Sequence, residues 1–260
     1  MASSKNIQLK KKFGQHFLRD EIIAQEAVQK VSIDGASVFE IGCGDGFLTE
    51  NILRTDLARL WIFEIDPEWA NYVEKRFQSD ERLTVFLENV LDADFSSFEP
   101  YKPWTLLANL PYQITFPLLH LFYKNRHLLK EGVIMIQEEV AQKIVKTGGR
   151  GFGYQSLFLQ HYFEWELMSK VPPSAFYPPP KVFSRLVYFK PKESVEKIPD
   201  EQGFWKFIKI CFRQPRRTLR NNLVQSHFDL SAFPEELLAK RAQQLHMGDF
   251  LVLWEQMRSQ

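Results

Sequence analysis

The sequence has few features of disulfide-stabilised, metal-binding or membrane proteins. It contains only two cysteines, Cys43 and Cys211, which lie far apart and show no metal-ligand spacing, so neither a disulfide framework nor a zinc site is expected. No apolar run approaches the roughly 20 residues that a membrane-spanning helix needs. Residues 1–19 are polar and basic, whereas a signal peptide requires an apolar stretch. We therefore expect a soluble cytoplasmic protein without a metal site and without a membrane partner.

Acidic residues are absent from two stretches of a chain whose formal net charge is only +1. Residues 1–19 contain the basic side chains Lys5, Lys10, Lys11, Lys12 and Arg19. Residues 206–220 contain the basic side chains Lys206, Lys209, Arg213, Arg216, Arg217 and Arg220. Separate positive blocks of this kind are typical of surfaces that contact phosphate groups. Two ordinary solvated surfaces remain the alternative.

Short apolar runs alternate with amphipathic stretches over the first three quarters of the chain, and this alternation predicts an α/β fold. Strands are predicted at residues 37–41, 59–65, 83–87, 105–108, 132–137, 165–170 and 185–189. The alternation stops between Pro191 and Pro199, and the pattern beyond indicates only short helices. We predict one domain over residues 1–190 and a helical, RNA-binding domain over residues 191–260.

A glycine turn at residues 42–46 (GCGDG) follows the first predicted strand and leads into a helix. Such a corner lets backbone amides approach a bound ligand. Its third glycine comes one residue earlier than in the dinucleotide fingerprint, which disfavours a pyrophosphate site. Glu64 ends the next strand, where an acid binds ribose hydroxyls, and Asn89 lies after the third, where an amide suits an adenine edge. For the glycine turn and for the residues around Asn89, a purely structural turn is the alternative.

Asn109, Leu110, Pro111 and Tyr112 follow the strand predicted at residues 105–108. A proline directly after a buried strand ends the ladder and turns the backbone outward. The amide oxygen and the freed Leu110 carbonyl can accept hydrogen bonds from an exocyclic amino group, while the Tyr112 ring stacks on the base. The four residues therefore predict a site for an amino-bearing base. An ordinary Asn-x-Pro turn is the alternative.

Residues 171–184 (VPPSAFYPPPKVFS) contain five of the 14 prolines of the chain. We refer to them as the proline-rich segment. This composition predicts an extended, rigid loop that presents Phe176 and Tyr177 with little entropy left to lose on binding. A stiff connector with buried aromatic side chains is the alternative.

Taken in order, these motifs resemble the ribosomal RNA adenine dimethyltransferases, specifically the KsgA/RsmA type that modifies small-subunit RNA. The resemblance extends from Lys11 to about Leu223. The motifs that carry it are GQHFL (14–18), FEIGCGDGFLT (39–49), FEID (63–66), NLPY (109–112), PPSAFYPPPKVFS (172–184) and FRQPRRTLRNNL (212–223). Each motif is modestly specific alone, and their common order and spacing make the resemblance highly specific.

The resemblance implies a Rossmann-like, seven-stranded methyltransferase sheet with antiparallel last strands, followed by a small all-helical C-terminal domain. It also implies S-adenosylmethionine as the methyl donor. By the same resemblance, the donor would be bound by His16, Leu18, Gly42, Gly44, Glu64, Asn89 and Asn109. The catalytic motif would comprise Asn109, Leu110, Pro111 and Tyr112 together with Phe176, and the rings of Tyr112 and Phe176 would stack on the target adenine.

Three positions depart from the family pattern, which usually has Asn at position 16, Pro at 43 and Asp at 89. His16 can still donate one hydrogen bond, although an isolated histidine there would more often be an ordinary surface residue, and its protonation would make donor binding pH-sensitive. Cys43 loosens the turn without removing an amide that matters. Asn89 accepts hydrogen bonds without the charge of an aspartate, so we predict weaker donor binding.

The motifs and the resemblance together predict methyl transfer from S-adenosylmethionine to N6 of two adjacent adenines in a small-subunit rRNA hairpin loop. The expected partner is an immature small ribosomal subunit, bound by a monomer during ribosome biogenesis. One alternative is the same chemistry on large-subunit rRNA; another is an RNA-binding assembly factor in which catalysis is secondary or lost. The proline-rich segment and residues 216–223 favour the small-subunit type, and the intact NLPY motif argues against lost catalysis.

Overall fold

The computed structural model describes residues 7, 9–10, 14–224, 226, 228–231 and 233–258. Lys5, Lys11 and Lys12 of the first basic block lie outside the described residues. The chain divides into two compact units. The first comprises Met1–Ala141 and Glu164–Pro191, and the second comprises Gln142–Phe163 and Lys192–Gln260. In the described part of the chain, no helix is long and apolar enough to cross a membrane.

The strands are β1 Phe17–Leu18, β2 Ser37–Ile41, β3 Arg59–Glu64, β4 Leu83–Leu87, β5 Trp104–Asn109, β6 Leu129–Gln137, β7 Phe163–Val171, β8 Phe176–Tyr177 and β9 Ser184–Pro191. Seven of them form one sheet in the order β4-β3-β2-β5-β6-β9-β7. Strands β2 to β6 pair in parallel, and β9 runs antiparallel to β6. Every residue of β2 is buried, as expected for a parallel strand covered on both faces. The predicted α/β class and seven-stranded sheet are confirmed.

The helices are α1 Glu21–Lys30, α2 Phe47–Leu53, α3 Pro67–Arg76, α4 Thr115–Lys124, α5 Glu138–Ile144, α6 Tyr154–Tyr162, α7 Glu201–Cys211, α8 Leu219–Leu223, α9 Glu235–Ala239 and α10 Met247–Arg258. Two of the starts carry the expected sequence signals. Asp20 caps α1 by accepting from two backbone amides, and Asp66 caps α3 with Pro67 at the first helical position.

The observed division differs from the predicted one at residues 142–163, which the sequence assigned to the first domain. These residues belong to the second unit because the aromatic side chains of α6 pack against α7. The Phe158 and Trp205 ring centroids are 4.9 Å apart, and the Trp205 indole nitrogen donates to the Tyr162 hydroxyl at 2.7 Å. Packing between elements distant in sequence therefore decides which unit contains α6.

The carboxyl ends of the parallel strands β2, β3, β4 and β5 lie at one edge of the sheet, because parallel strands share a direction. This edge carries the glycine turn after β2, Glu64 at the end of β3, Asn89 after β4 and Asn109 at the end of β5. A separate two-stranded sheet pairs β1 with β8, placing Phe17 opposite Tyr177 and Leu18 opposite Phe176. That pairing attaches residues 14–19, which we call the N-terminal segment, to the proline-rich segment.

Candidate active site

A cavity of roughly 960 Å³, including its open mouth, lies at the carboxyl edge of the sheet in the first unit. The walls come from the N-terminal segment, the glycine turn and the ends of the parallel strands. Among the residues predicted from sequence, the lining includes His16, Leu18, Gly42, Gly44, Glu64, Asn89, Asn109, Leu110, Pro111 and Tyr112. The structure thus brings the NLPY motif and the predicted donor-binding residues into one site.

The amide of Asn109 is oriented by the N-terminal segment. Its Nδ2 donates to the His16 carbonyl oxygen at 2.8 Å, which leaves Oδ1 to accept a hydrogen bond from a ligand. The Leu110 amide donates to the Met135 carbonyl at 3.1 Å and fixes the motif to β6. No donor among the described residues reaches the Leu110 carbonyl oxygen. Two acceptors that belong to adjacent residues at the end of β5, Asn109 Oδ1 and the Leu110 carbonyl oxygen, are therefore available to a ligand.

The ring of Tyr112 is held in place at both its hydroxyl and one face. Its hydroxyl lies 2.6 Å from the Ser184 Oγ, and burial raises the Tyr112 pKa, so the phenol stays neutral. The His16 ring stacks on it with centroids 5.9 Å apart and an interplanar angle of 25°. His16 Nδ1 lies 2.8 Å from the Pro178 carbonyl oxygen and donates to it. The Nδ1 proton is therefore used in a hydrogen bond within the protein and is not available to a ligand. A base that stacks on Tyr112 would use the opposite face.

The glycine turn is shaped by the close approach of Phe17. Gly44 has φ +53°, and a side chain there would come within 2.8 Å of the Phe17 ring. Gly42 has φ +74° and open space where a side chain would project. Arg19 pairs with Asp45 at 2.7 Å, which anchors the N-terminal segment across the turn. Sequence reasoning missed Phe17, because nothing local distinguishes it among the 23 phenylalanines of the chain.

Glu64 is buried and its carboxylate is fixed by three donors. Oε1 accepts from the Asp66 amide at 2.9 Å, and Oε2 accepts from the Gly44 amide at 3.3 Å and from the Cys43 thiol at 3.6 Å. Burial raises the Glu64 pKa, while the two backbone hydrogen bonds oppose that rise. A carboxylate has about four acceptor positions, so one stays available on Oε1 for a ligand hydroxyl.

Glu40 is a second buried carboxyl group in the cavity wall, and the sequence analysis did not single it out. Its Oε2 accepts from the Thr49 hydroxyl at 2.7 Å, whereas Oε1 has no partner among the described residues. Burial raises its pKa to about 8, so Glu40 is mostly protonated at neutral pH. The available signal was a charged residue inside an otherwise apolar, fully buried strand.

Asn89 lines the cavity, and its side chain also closes the turn that follows β4. Nδ2 donates to the Asp92 carboxylate at 2.7 Å, and Oδ1 accepts from the Leu91 amide at 3.2 Å. The turn-forming role considered from the sequence is therefore observed. A carbonyl oxygen has two lone pairs, so Oδ1 can accept one further hydrogen bond from a ligand.

Phe176 is only 4% exposed, packs within the apolar core of the first unit and does not line the cavity. The cause is the pairing of β8 with β1, since successive side chains of a strand point to opposite faces. Phe176 therefore faces inward while its neighbour Tyr177 is 62% exposed. Phe176 pairs in register with Leu18, which lines the cavity, and stacking of the Phe176 ring on the target adenine stays a prediction.

The predicted RNA-contacting side chains all belong to the second unit. Five of them are exposed, namely Lys206, Lys209, Arg213, Arg216 and Arg217. The Lys209 ammonium lies 5.0 Å from the centre of the Tyr154 ring. Arg220 differs from the others because it forms an ion pair with Glu235. The second basic block thus presents a largely exposed positive surface next to α8.

A family model described as ribosomal RNA adenine dimethylase matches residues 6–255 of the chain. The chain is 34% identical over 254 residues to ribosomal RNA small subunit methyltransferase A of Chlorobium phaeobacteroides, covering 97% of this chain and 92% of the relative. It is 36% identical over 216 residues to the protein of that description from Mesomycoplasma hyopneumoniae, covering 83% and 81%.

Among solved structures, a dimethyladenosine transferase from Plasmodium falciparum is similar, with a TM-score of 0.80 and 25% identity over 94% of this chain and 98% of that one. The 23S rRNA methyltransferase ErmE has a TM-score of 0.73 and 20% identity, covering 93% of this chain and 99% of the other. At that identity the second likeness concerns the fold alone.

Proposed function

The chain belongs to the ribosomal RNA adenine dimethylase family, and on that premise we propose how its site performs the reaction. It is an S-adenosylmethionine-dependent enzyme that methylates N6 of two adjacent adenines in a hairpin loop of small-subunit rRNA. The observation that carries this assignment is the fixed pair of acceptors, Asn109 Oδ1 and the Leu110 carbonyl, at the wall of the cavity. They match the two hydrogens of an adenine amino group.

S-adenosylmethionine, when bound, supplies an electrophilic methyl group on a sulfonium sulfur. The residues of the cavity fit this donor. Glu64 keeps one acceptor position for a ribose hydroxyl, and the open space beside Gly42 lets the ligand approach the backbone. Asn89 Oδ1 can accept from the adenine amino group of the donor. Leu18 and Phe17 contribute an apolar wall between the turn and the NLPY motif.

The target adenine must leave its stack to enter the site, as enzymes that modify a base require. Asn109 Oδ1 and the Leu110 carbonyl accept its two amino hydrogens and direct the nitrogen lone pair towards the methyl donor. Tyr112 stacks on the base with the face that His16 leaves open. Positioning supplies most of the rate enhancement. As the new C–N bond forms, the S–CH3 bond breaks, its electron pair stays on sulfur to leave S-adenosylhomocysteine, and the amino proton passes to solvent. A charged general base is therefore unnecessary.

The immature small subunit is the proposed partner, bound by a monomer in the cytoplasm. The exposed basic side chains at residues 206–217 would contact RNA phosphates, which position the substrate without reading its sequence. The names of the relatives support small-subunit RNA over large-subunit RNA. The arrangement of Asn109 supports catalysis over a purely structural role in subunit assembly.

The test is methyl transfer from labelled S-adenosylmethionine to immature small subunits, followed by digestion of the RNA to nucleosides. We expect dimethyladenosine from the wild type and a loss of at least about 100-fold in rate for Asn109→Ala, because the amino group is no longer oriented. Asn71→Ala removes an exposed asparagine on α3 and serves as the matched control. Labelled large-subunit RNA, or tight subunit binding without transfer, would contradict the proposal.

A further inference from the structure

Two large aromatic side chains of the proline-rich segment are exposed, although aromatic rings usually occupy a core. Tyr177 is 62% exposed and Phe183 is 45% exposed. Neither lines the cavity, and neither has a part in the mechanism above. Exposed aromatic residues near a site for a base are typical of surfaces that bind unpaired nucleotides.

Both rings are linked by short paths to the His16–Tyr112 stack at the cavity. On the His16 side, the residue after Tyr177 is Pro178, whose carbonyl oxygen lies 2.8 Å from His16 Nδ1. On the Tyr112 side, the residue after Phe183 is Ser184, whose hydroxyl lies 2.6 Å from the Tyr112 hydroxyl. Each exposed aromatic residue therefore directly precedes a residue that contacts the His16–Tyr112 stack, and the target base is proposed to lie on the open Tyr112 face of that stack.

The backbone that carries these rings is held in a defined conformation. Tyr177 pairs with Phe17 in the small two-stranded sheet, and the Phe183 carbonyl accepts from the Glu138 amide at 2.9 Å. Rigid aromatic side chains lose little conformational entropy on binding. We therefore expect the preformed positions of Tyr177 and Phe183 to increase the affinity for a base that stacks on them.

The charge around these rings favours a polyanion as their partner. Residues 167–192 contain no Asp or Glu. The Lys170 ammonium lies 4.4 Å from the centre of the Phe183 ring, and Lys181 is exposed between the two aromatics in sequence. Aromatic faces combined with cations fit single-stranded nucleic acid, whose bases stack while its phosphates pair with lysine.

We propose that Tyr177 and Phe183 stack on unpaired RNA bases next to the target adenine, with Lys170 and Lys181 contacting the adjoining phosphates. This inference rests on the proposed function, because the cavity must receive an RNA base. The RNA-binding residues proposed above all belong to the second unit. This inference adds RNA-binding residues in the first unit. It also accounts for the exposure of these aromatic side chains, which packing does not explain.

Tyr177→Leu and Phe183→Leu test the proposal because leucine keeps apolar area but removes the aromatic face. We expect each to weaken binding of immature small subunits at least about fivefold. Binding of S-adenosylhomocysteine should stay at the wild-type value, which would show an intact donor site. Tyr101→Leu is the matched control, since Tyr101 is 46% exposed, has Arg59 4.2 Å from its ring and precedes β5 at the opposite edge of the sheet.

A second measurement uses the wild-type protein and changes the RNA. A fluorescent hairpin with two adjacent unpaired adenines is compared with hairpins in which single loop nucleotides beside them are abasic. We expect an abasic nucleotide to weaken hairpin binding by the wild type about fivefold or more. In Tyr177→Leu or Phe183→Leu, the same abasic nucleotide should reduce the affinity much less, because the stacking partner is already missing.

Equal affinity for intact and abasic hairpins, failure of the intact hairpin to bind, or wild-type subunit binding by both leucine variants would each overturn the inference. These results are distinguishable from failure of the proposed function, in which the wild type would not methylate small-subunit RNA at all.

Discussion

Replacing Glu40 by glutamine should remove a pH-dependent loss of stability from the ligand-free protein. Glu40 is fully buried, and its pKa rises from an ordinary 4.5 to about 8. Between these values the folded protein keeps the Glu40 proton and the unfolded chain releases it. The Glu40 contribution to the free energy of unfolding therefore falls as pH rises from about 4.5 to 8 and is constant above that range. The full loss is on the order of 5 kcal/mol, as an upper estimate.

The assay is urea unfolding of the wild type and Glu40→Gln between pH 5 and pH 9, monitored by tryptophan fluorescence. Glutamine can accept from the Thr49 hydroxyl as the carboxyl group does, and it never ionises. We expect the variant to gain stability over the wild type steadily up to about pH 8, with a plateau beyond. Glu64 also titrates with a raised pKa, and its charge contributes to the raised pKa of Glu40. Because Glu64 is present in both proteins, the comparison isolates the contribution of ionised Glu40, including its repulsion by Glu64. A difference that stays constant from pH 5 to pH 9 would refute the reasoning.

Two further predictions concern the donor and the RNA. Asn89→Asp alone should not tighten S-adenosylhomocysteine binding in calorimetry, because Asp92 lies 2.7 Å from the amide nitrogen; Asn89→Asp with Asp92→Asn should tighten it about fivefold. Tighter binding by the single variant would contradict this account of Asp92. Neutralising Lys206, Arg213, Arg216 and Arg217 together should reduce the slope of log affinity against log salt by about 3. An unchanged slope would exclude phosphate contacts by these side chains.

The strands and the central site could be predicted because their signals are local. β2 and β4 were predicted with their observed bounds, since short apolar runs between turn residues identify strands. β2 is buried throughout, whereas β4 lies at the edge of the sheet and is only partly covered. The glycine turn and the NLPY motif follow such strands directly. Once the strands are parallel, their carboxyl ends must share an edge, and residues far apart in sequence meet there.

The features that could not be predicted depend on contacts between distant segments. No local pattern pairs residues 17–18 with 176–177, yet this pairing buries Phe176 and exposes Tyr177. Glu40 Oε1 likewise lacks a hydrogen-bond partner because of the elements that pack around β2, which a local pattern does not reveal. The membership of α6 in the second unit depends on its packing against Trp205.

The N-terminal segment contacts both the NLPY motif and the glycine turn, so its side chains affect more than donor binding. The His16 carbonyl fixes the Asn109 amide, and the His16 ring covers one face of Tyr112. Two residues along, Leu18 pairs with Phe176, and Arg19 then reaches the glycine turn through Asp45. Because one short segment contacts both the proposed donor loop and the catalytic motif, any displacement of it disturbs both. We therefore expect orientation of the target amino group and donor binding to be coupled through residues 16–19.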